Sequence, residues 1–373
     1  MSQGNKIKVG ITHGDINGIG YEIILKTLSQ PGFGELCTPI VYGSSKALSY
    51  HRKALEMANV NFNLIKSASD AIAGANNLIE VLGDDVKIEL GVASDYSGNA
   101  AFASLERAVA DLKNNEIDVL VTAPINKDAI QSENFHFPGH TEYLEACADG
   151  SKSLMILCND NIRVALVTTH LPISRISSAL SKELIVEKIK IFNESLRRDF
   201  GIIRPRIAVL ALNPHAGENG LLGSEEQQII TPAIEEAYGK RISCFGPYAA
   251  DGFFGSGQYA HFDGILAMYH DQGLAPFKTL AMDSGVNFTA GLPFVRTSPD
   301  HGTGYDIAGK NLANDESFRA AIYRAIDVAR NRRRFAEMYR NPLRRQYVDR
   351  SGDKEVLDLS KDDSADTDIL ETV

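Results

Sequence analysis

The stretch IKVGITHGDINGIGYEIILKTL, residues 7–28, decides the fold class. It opens on a short apolar run, Ile7–Ile11, and breaks at His13-Gly14-Asp15. It then passes Gly18 and Gly20 and continues with helical periodicity from about Tyr21 to Leu28. An apolar run of that length closed by glycine predicts a buried strand, and the 3.6-residue spacing after it predicts a helix.

The same alternation repeats down the chain. Strands are predicted at 39–42, 119–123, 154–157, 164–168, 207–212, 264–268 and 286–289. Helices are predicted at 46–57, 101–112, 182–200 and 317–334. Strands alternating with helices of ten residues or more imply an α/β fold on a largely parallel sheet. With no internal repeat and no low-complexity linker, residues 1–350 read as one folded unit, and 351–373 as a disordered or loosely docked acidic tail.

Composition narrows the function classes. Apolar residues make up 44% and the net charge is -10, which argues against general nucleic-acid binding. The Arg-rich segment 330–350 has no interleaved aromatic platform, so a basic final helix is the simpler account. Cys37, Cys147, Cys158 and Cys244 form no C-x-x-C pair, which speaks against a disulfide framework or thiolate zinc site. No apolar stretch approaches the roughly 20 residues of a bilayer span, and the start lacks a leader pattern. The expected location is the cytoplasm.

In open α/β sheets, ligands gather at the carboxyl ends of strands. Unusual polar residues fall there. His170, His215 and His270 each closely follow an apolar strand, in THLP, NPH and YHD. Three neutral imidazoles with open positions suit a catalytic divalent metal such as zinc or cobalt, and magnesium is the third candidate cation. The plain alternative is that each only hydrogen-bonds at the start of a loop. Gly14–Gly20 could let a backbone approach an anion, or could be a tight packed turn. His140 and Thr141 offer donors suited to phosphate, although Thr141-Glu142 is equally a helix start. Lys278, Asn287 and Arg296 together suit a substrate carrying carboxylate and phosphate, though each alone reads as a surface residue. The glycine-rich run 300–310 could wrap an adenosine.

The segments GITHGDINGIG, VTAPINK, GHTEYLE, TTHLPIS, LNPHAGENG, YHDQGLAPFK and GVNFTAGLPFVRTSPDHGTGYDIAG resemble the 4-hydroxythreonine-4-phosphate dehydrogenase family, in family order over roughly residues 9–310. That resemblance implies a two-lobed α/β/α fold like isocitrate and isopropylmalate dehydrogenases, with the active site in the cleft between lobes. One lobe would be approximately 1–125 plus 286–350, the other 126–285. It implies that His170, His215 and His270 are metal ligands, the third coming from the partner subunit of a homodimer. It implies that His140, Thr141, Lys278, Asn287 and Arg296 hold the phosphorylated substrate. The 301–314 segment is similar to the adenosine loop of the decarboxylating dehydrogenases, with His301, Gly302, Thr303, Asp306 and Asn314 facing the cofactor. Asp306 would accept from a ribose 2′-hydroxyl, favouring NAD while leaving NADP possible. The chain departs from the family where Ile16 and Tyr21 replace common prolines.

The implied reaction is oxidation of 4-(phosphooxy)-L-threonine to a 3-oxo acid that decarboxylates to 3-amino-2-oxopropyl phosphate. Lys278 and Asp271 are the candidate bases. The alternatives are a dehydrogenase of threonate- or erythronate-4-phosphate, an NAD-independent metal hydrolase or lyase, and an inactive relative serving as a metabolite sensor.

Overall fold

A computed structural model describes residues 6–57, 59–83, 85–133, 135–148 and 150–341. The expected acidic tail, 351–373, lies outside the described residues, as do Arg344, Arg345 and Arg350 of the basic segment.

Among the described residues, twelve strands form one sheet. They are β1 (Lys8–Thr12), β2 (Thr38–Gly43), β3 (Asn63–Ile65), β4 (Asn77–Glu80), β5 (Val119–Thr122), β6 (Leu154–Cys158), β7 (Arg163–Leu166), β8 (Ile207–Leu210), β9 (Cys244–Tyr248), β10 (Gly264–Ala267), β11 (Val286–Ala290) and β12 (Val295–Pro299). Their spatial order is β3-β4-β2-β1-β5-β12-β11-β6-β7-β10-β8-β9. The first six are mutually parallel. So are the last four.

The sheet is largely parallel, as expected, and departs from that only at its centre. β12 with β11, β11 with β6 and β6 with β7 all pair antiparallel. Three reversals leave the two parallel halves running in opposite directions. The reason is local: β11–β12 and β6–β7 are joined by connections of four residues, and a parallel crossover needs a dozen or more. Asn159 shapes the second turn by accepting from the amides of Asn161 and Ile162, at 2.9 and 3.0 Å.

The halves share a core. β1, β2, β5 and β8 are buried along their length apart from Lys8, as strands covered on both faces must be. One apolar cluster runs from Val9 and Val121 through Phe288 to Val209. The helix Glu316–Tyr339 lies along β12, β11 and β5. The helix Lys182–Arg198 covers β6, β10 and β11, starting at Ser181, whose side chain accepts from the Leu184 amide.

Tyr21, one of the departures from the family pattern, has a structural use. Its ring stacks between His13 and His51 at 5.2 and 5.0 Å, and its hydroxyl accepts from the Ser44 amide at 2.9 Å. Burial holds both histidines down from 6.5 to about 4. The unfolded chain therefore takes up two protons below about pH 6.5 that the native protein refuses until about pH 4. Stability should fall as pH drops through that window, by on the order of a few kcal/mol at the acid end. Urea midpoints across the window check this. His51→Gln should flatten the slope, and an unchanged slope would contradict the assignment.

Candidate active site

The site is built around a buried guanidinium. Arg296, second residue of β12, is 2% exposed. Its Nε and Nη2 donate to Thr122 Oγ1 at 3.2 and 2.7 Å, and Nη1 donates to Thr289 Oγ1 at 3.1 Å. No carboxylate pairs with it among the described residues. The sequence expectation of a surface residue is thus corrected: the β12 pleat turns Arg296 inward beneath the β5 loop. Burial lowers its pKa to about 10, which leaves it charged at neutral pH. An unpaired buried charge is costly, and such groups ordinarily pair with an anion.

Some of the buried polar atoms without a hydrogen-bond partner fall on predicted binding residues, and others lie elsewhere, as on His13 and Arg163. His140 Nε2, Asn287 Oδ1 and His301 Nε2 are buried with no hydrogen-bond partner. Buried polar atoms are nearly always satisfied, so on these three residues a ligand or an ordered water can fill the gap. His140 opens the helix His140–Ala146, and Thr141 follows it in the first turn. The helix-start reading of this segment and its donor role are compatible. Burial, then the charges of Arg296 and Lys127, push the His140 pKa well below 6.5. A bound anion would offset that positive potential.

The histidines are partly brought together. His170 follows β7 and His270 follows β10, its neighbour in the sheet. Their ring centroids are 6.1 Å apart. Asp271 Oδ1 lies 2.7 Å from His270 Nδ1, and Glu142 Oε1 lies 3.6 Å from His170 Nδ1. The close carboxylate at His270 Nδ1 leaves its Nε2 to ligate, as expected of metal-binding imidazoles, whereas His170 Nε2 lies 3.5 Å from Lys127 Nζ, which a cation there would displace. These residues fit a divalent cation. His215 stands apart: among the described residues, no three His, Cys, Asp or Glu of one chain gather as a metal-holding set. Thus His270, which the resemblance assigns to a partner subunit, sits beside His170 within one chain, and the three histidines do not form one metal-holding group there.

His215 sits in unusual backbone. Residues His215, Ala216, Gly217, Glu218 and Asn219 all have φ between 42° and 78°, a left-handed turn. Each non-glycine residue there costs roughly 1–2 kcal/mol. Strain of this kind persists where the surroundings over-determine it, commonly at functional sites.

Lys278 lies in the helix His270–Ala281, with Nζ 3.4 Å from Asp300 Oδ1. Burial raises the Asp300 pKa, against the charges of Lys278, His301 and His270. His301 is lowered chiefly by burial. Gly302, Asp306 and Asn314 are exposed, and Thr303 is half-buried. Asn314 Oδ1 accepts from the Glu316 amide at 2.9 Å, so it also shapes the start of the last helix.

The anion-cradle reading of Gly14–Gly20 is corrected. The amides of Asp15, Gly18 and Ile19 donate to Pro124 O, Asp15 O and Thr303 O, at 2.9, 3.1 and 2.9 Å. The Asn17 amide donates to Asp15 Oδ1. Gly14 has φ 69°, and a Cβ there would lie 2.3 Å from Pro124 O. This is the tight packed turn. It seats the β5 loop and, through Tyr305 OH to Asp15 Oδ2 at 2.8 Å, the 301–309 loop.

Sequence reasoning missed Lys127, whose Nζ lies 3.5 Å from His170 Nε2 and whose charge reaches His140 and Glu142. A lysine in a loop carries no signal by itself. Glu142, Thr122, Thr289 and Asp300 were also not singled out as site residues.

With this geometry in place, comparison with known proteins is consistent. The family model for the pyridoxal phosphate biosynthetic protein PdxA matches residues 35–325. A 4-hydroxythreonine-4-phosphate dehydrogenase of Bacteroides thetaiotaomicron is 60% identical over 356 residues, covering 95% of this chain and 98% of its own. One from Sulfurihydrogenibium sp. is 42% identical, covering 88% of this chain and all of its own. A crystal structure of 4-hydroxythreonine-4-phosphate dehydrogenase from Klebsiella pneumoniae superposes with TM-score 0.76 at 35% identity, covering 88% of this chain and 99% of that one. Matched over most of its length by model, sequence and structure alike, the chain belongs to the PdxA family of pyridoxal phosphate biosynthetic proteins.

Proposed function

We propose that this protein oxidises 4-(phosphooxy)-L-threonine with NAD, or NADP, to a 3-oxo acid that decarboxylates to 3-amino-2-oxopropyl phosphate, in pyridoxal 5′-phosphate biosynthesis. The observation that carries the reading is Arg296: a buried, charged guanidinium with no carboxylate at ion-pair distance among the described residues, Glu142 acting only from farther off, beside the orphaned His140 Nε2.

Arg296, His140 and Thr141 hold the anionic end of the substrate, and Asn287 and Lys278 fix the rest. His170, His270 and His215 hold a divalent cation, with both protomers of a homodimer contributing. When bound, that cation supplies Lewis acidity at the substrate hydroxyl, and the nicotinamide supplies the hydride acceptor. Asp271 orients His270, since its Oδ1 is engaged by the imidazole Nδ1. Lys278 is then the candidate to take the hydroxyl proton, with Asp300 beside it. The loop 301–314, with His301, Gly302, Thr303, Asp306 and Asn314, takes the nucleotide, and exposed Asp306 disfavours a 2′-phosphate. Segments 1–125 plus 286–350, of which 1–5 and 342–350 lie outside the described residues, and 126–285 are the two lobes proposed to flank the site. The reaction takes place in the cytoplasm; no helix among the described residues is long and apolar enough to cross a membrane.

A panel of 4-(phosphooxy)-threonine, threonate-4-phosphate and erythronate-4-phosphate, each with NAD and NADP, tests this. Reduced cofactor should form from the first substrate with kcat/KM at least about tenfold above the others, since a site built for an amino group penalises its loss. A preference for a threonate or erythronate ester, or turnover without nicotinamide, would contradict it.

A further inference from the structure

Six residues separate the left-handed turn that carries His215 from a five-residue π-helical segment, Glu226–Ile230. Single π turns of this kind recur at functional sites. Glu226 is 3% exposed and faces back into the turn. Its Oε1 accepts from the amides of Leu212 and Asn213, at 2.8 and 2.7 Å. Its Oε2 accepts from Asn213 Nδ2 at 3.0 Å. The same Nδ2 donates to Glu225 Oε2 at 2.7 Å, and Glu225 Oε1 accepts from Ser177 Oγ at 2.6 Å. Ser177 stands seven residues beyond His170, in the short helix that ends the His170 loop.

We propose that Glu226 is a positioning residue: with Asn213 it holds residues 212–219 in the left-handed turn that aims His215, and through Glu225 and Ser177 it ties that turn to the His170 loop. Three donors converge on one buried carboxylate, and together they fix the backbone at which the turn begins. Gly217 completes the fit, because a Cβ there would lie 2.6 Å from Glu226 Oε2. Five consecutive left-handed residues, four of them not glycine, would not keep that conformation without such an anchor. This inference rests on the proposal that His215 is a metal ligand.

Glu226→Gln keeps the shape and removes one acceptor. Its NH2 would face Asn213 Nδ2, and flipping the Asn213 amide would set an oxygen against the Glu225 carboxylate. Cobalt(II) alone, titrated into the full-length protein and followed by its absorption and by equilibrium dialysis, reads the consequence. The Kd for cobalt should rise by about ten- to a hundredfold, as for other residues that orient ligands. The NAD Kd should not change, and the Leu212 and Asn213 amides of the metal-free variant should exchange faster. Ser177→Ala, at an exposed position, should raise the cobalt Kd in the same direction without affecting folding. Unchanged cobalt affinity in both variants, even with a lower Tm, would overturn the positioning role. A wild-type protein that takes up no cobalt would overturn the metal reading instead. Amide exchange in the metal-free protein would then still decide whether Glu226 holds the turn.

Discussion

Arg296→Met is expected to lower kcat/KM for the phosphorylated substrate by about a hundred- to a thousandfold. The loss corresponds to two charge-assisted hydrogen bonds of roughly 1.5–3 kcal/mol each, discounted for non-additivity. It should fall mainly on substrate affinity, leaving NAD binding intact. Stability should move the other way or not at all. Arg296 is buried against two threonine hydroxyls with no carboxylate at ion-pair distance among the described residues, Glu142 acting on it only from farther off. Replacing a buried unpaired charge by an apolar side chain of similar volume is often neutral or stabilising. Arg296→Lys should also be impaired, because a point charge cannot reproduce the planar fork. Steady-state kinetics and thermal melts of the same preparations separate the outcomes. A methionine variant that melts several degrees lower yet keeps its KM would mean that Arg296 is structural.

The second large effect is expected at the histidines. His270→Ala should reduce turnover by at least about a thousandfold, because the cation it helps to hold would supply several kcal/mol of charge stabilisation. Alanine is a strong helix former, so the helix His270–Ala281 should persist. Asp271→Asn should weaken metal affinity about ten- to a hundredfold, since Nδ1 of His270 loses its charged partner at 2.7 Å. Chelation should silence the wild type, and re-added metal should restore it. A His270→Ala protein that turns over at the wild-type rate after chelation would refute the metal role.

How much of this was legible in the sequence differs from element to element. The apolar runs at β1, β5, β8 and β10 are buried on both faces, so they read as continuous hydrophobic strands. β3 is three residues long and half-exposed, too short and too mixed to give a period. The antiparallel centre was legible in principle. Gly291, at φ 82°, and the short Asn-rich link at 159–162 both signal tight reversals. A connection of four residues is too short for a parallel crossover and so implies an antiparallel pair.

For the site, strand ends gave the histidines their places, because a polar residue after an apolar strand has few packing reasons to be there. The burial of Arg296 was hidden, since an arginine near a strand start looks like surface until the sheet order puts β5 and β11 on either side of it. The left-handed turn at His215–Asn219 was hidden too. Only one of its five residues is glycine, and local propensity offers no hint of a conformation that tertiary contacts impose.

The central claim is that His170 and His270 meet a divalent cation next to an anion pocket centred on Arg296. Anomalous diffraction at the cobalt edge, from crystals holding cobalt and 4-(phosphooxy)-threonine, tests it most directly. The predicted result is one metal peak between the imidazoles of His170 and His270, with the substrate phosphate or carboxylate against Arg296 and His140. A metal peak remote from those rings, or a substrate whose anionic groups leave Arg296 untouched, would contradict it.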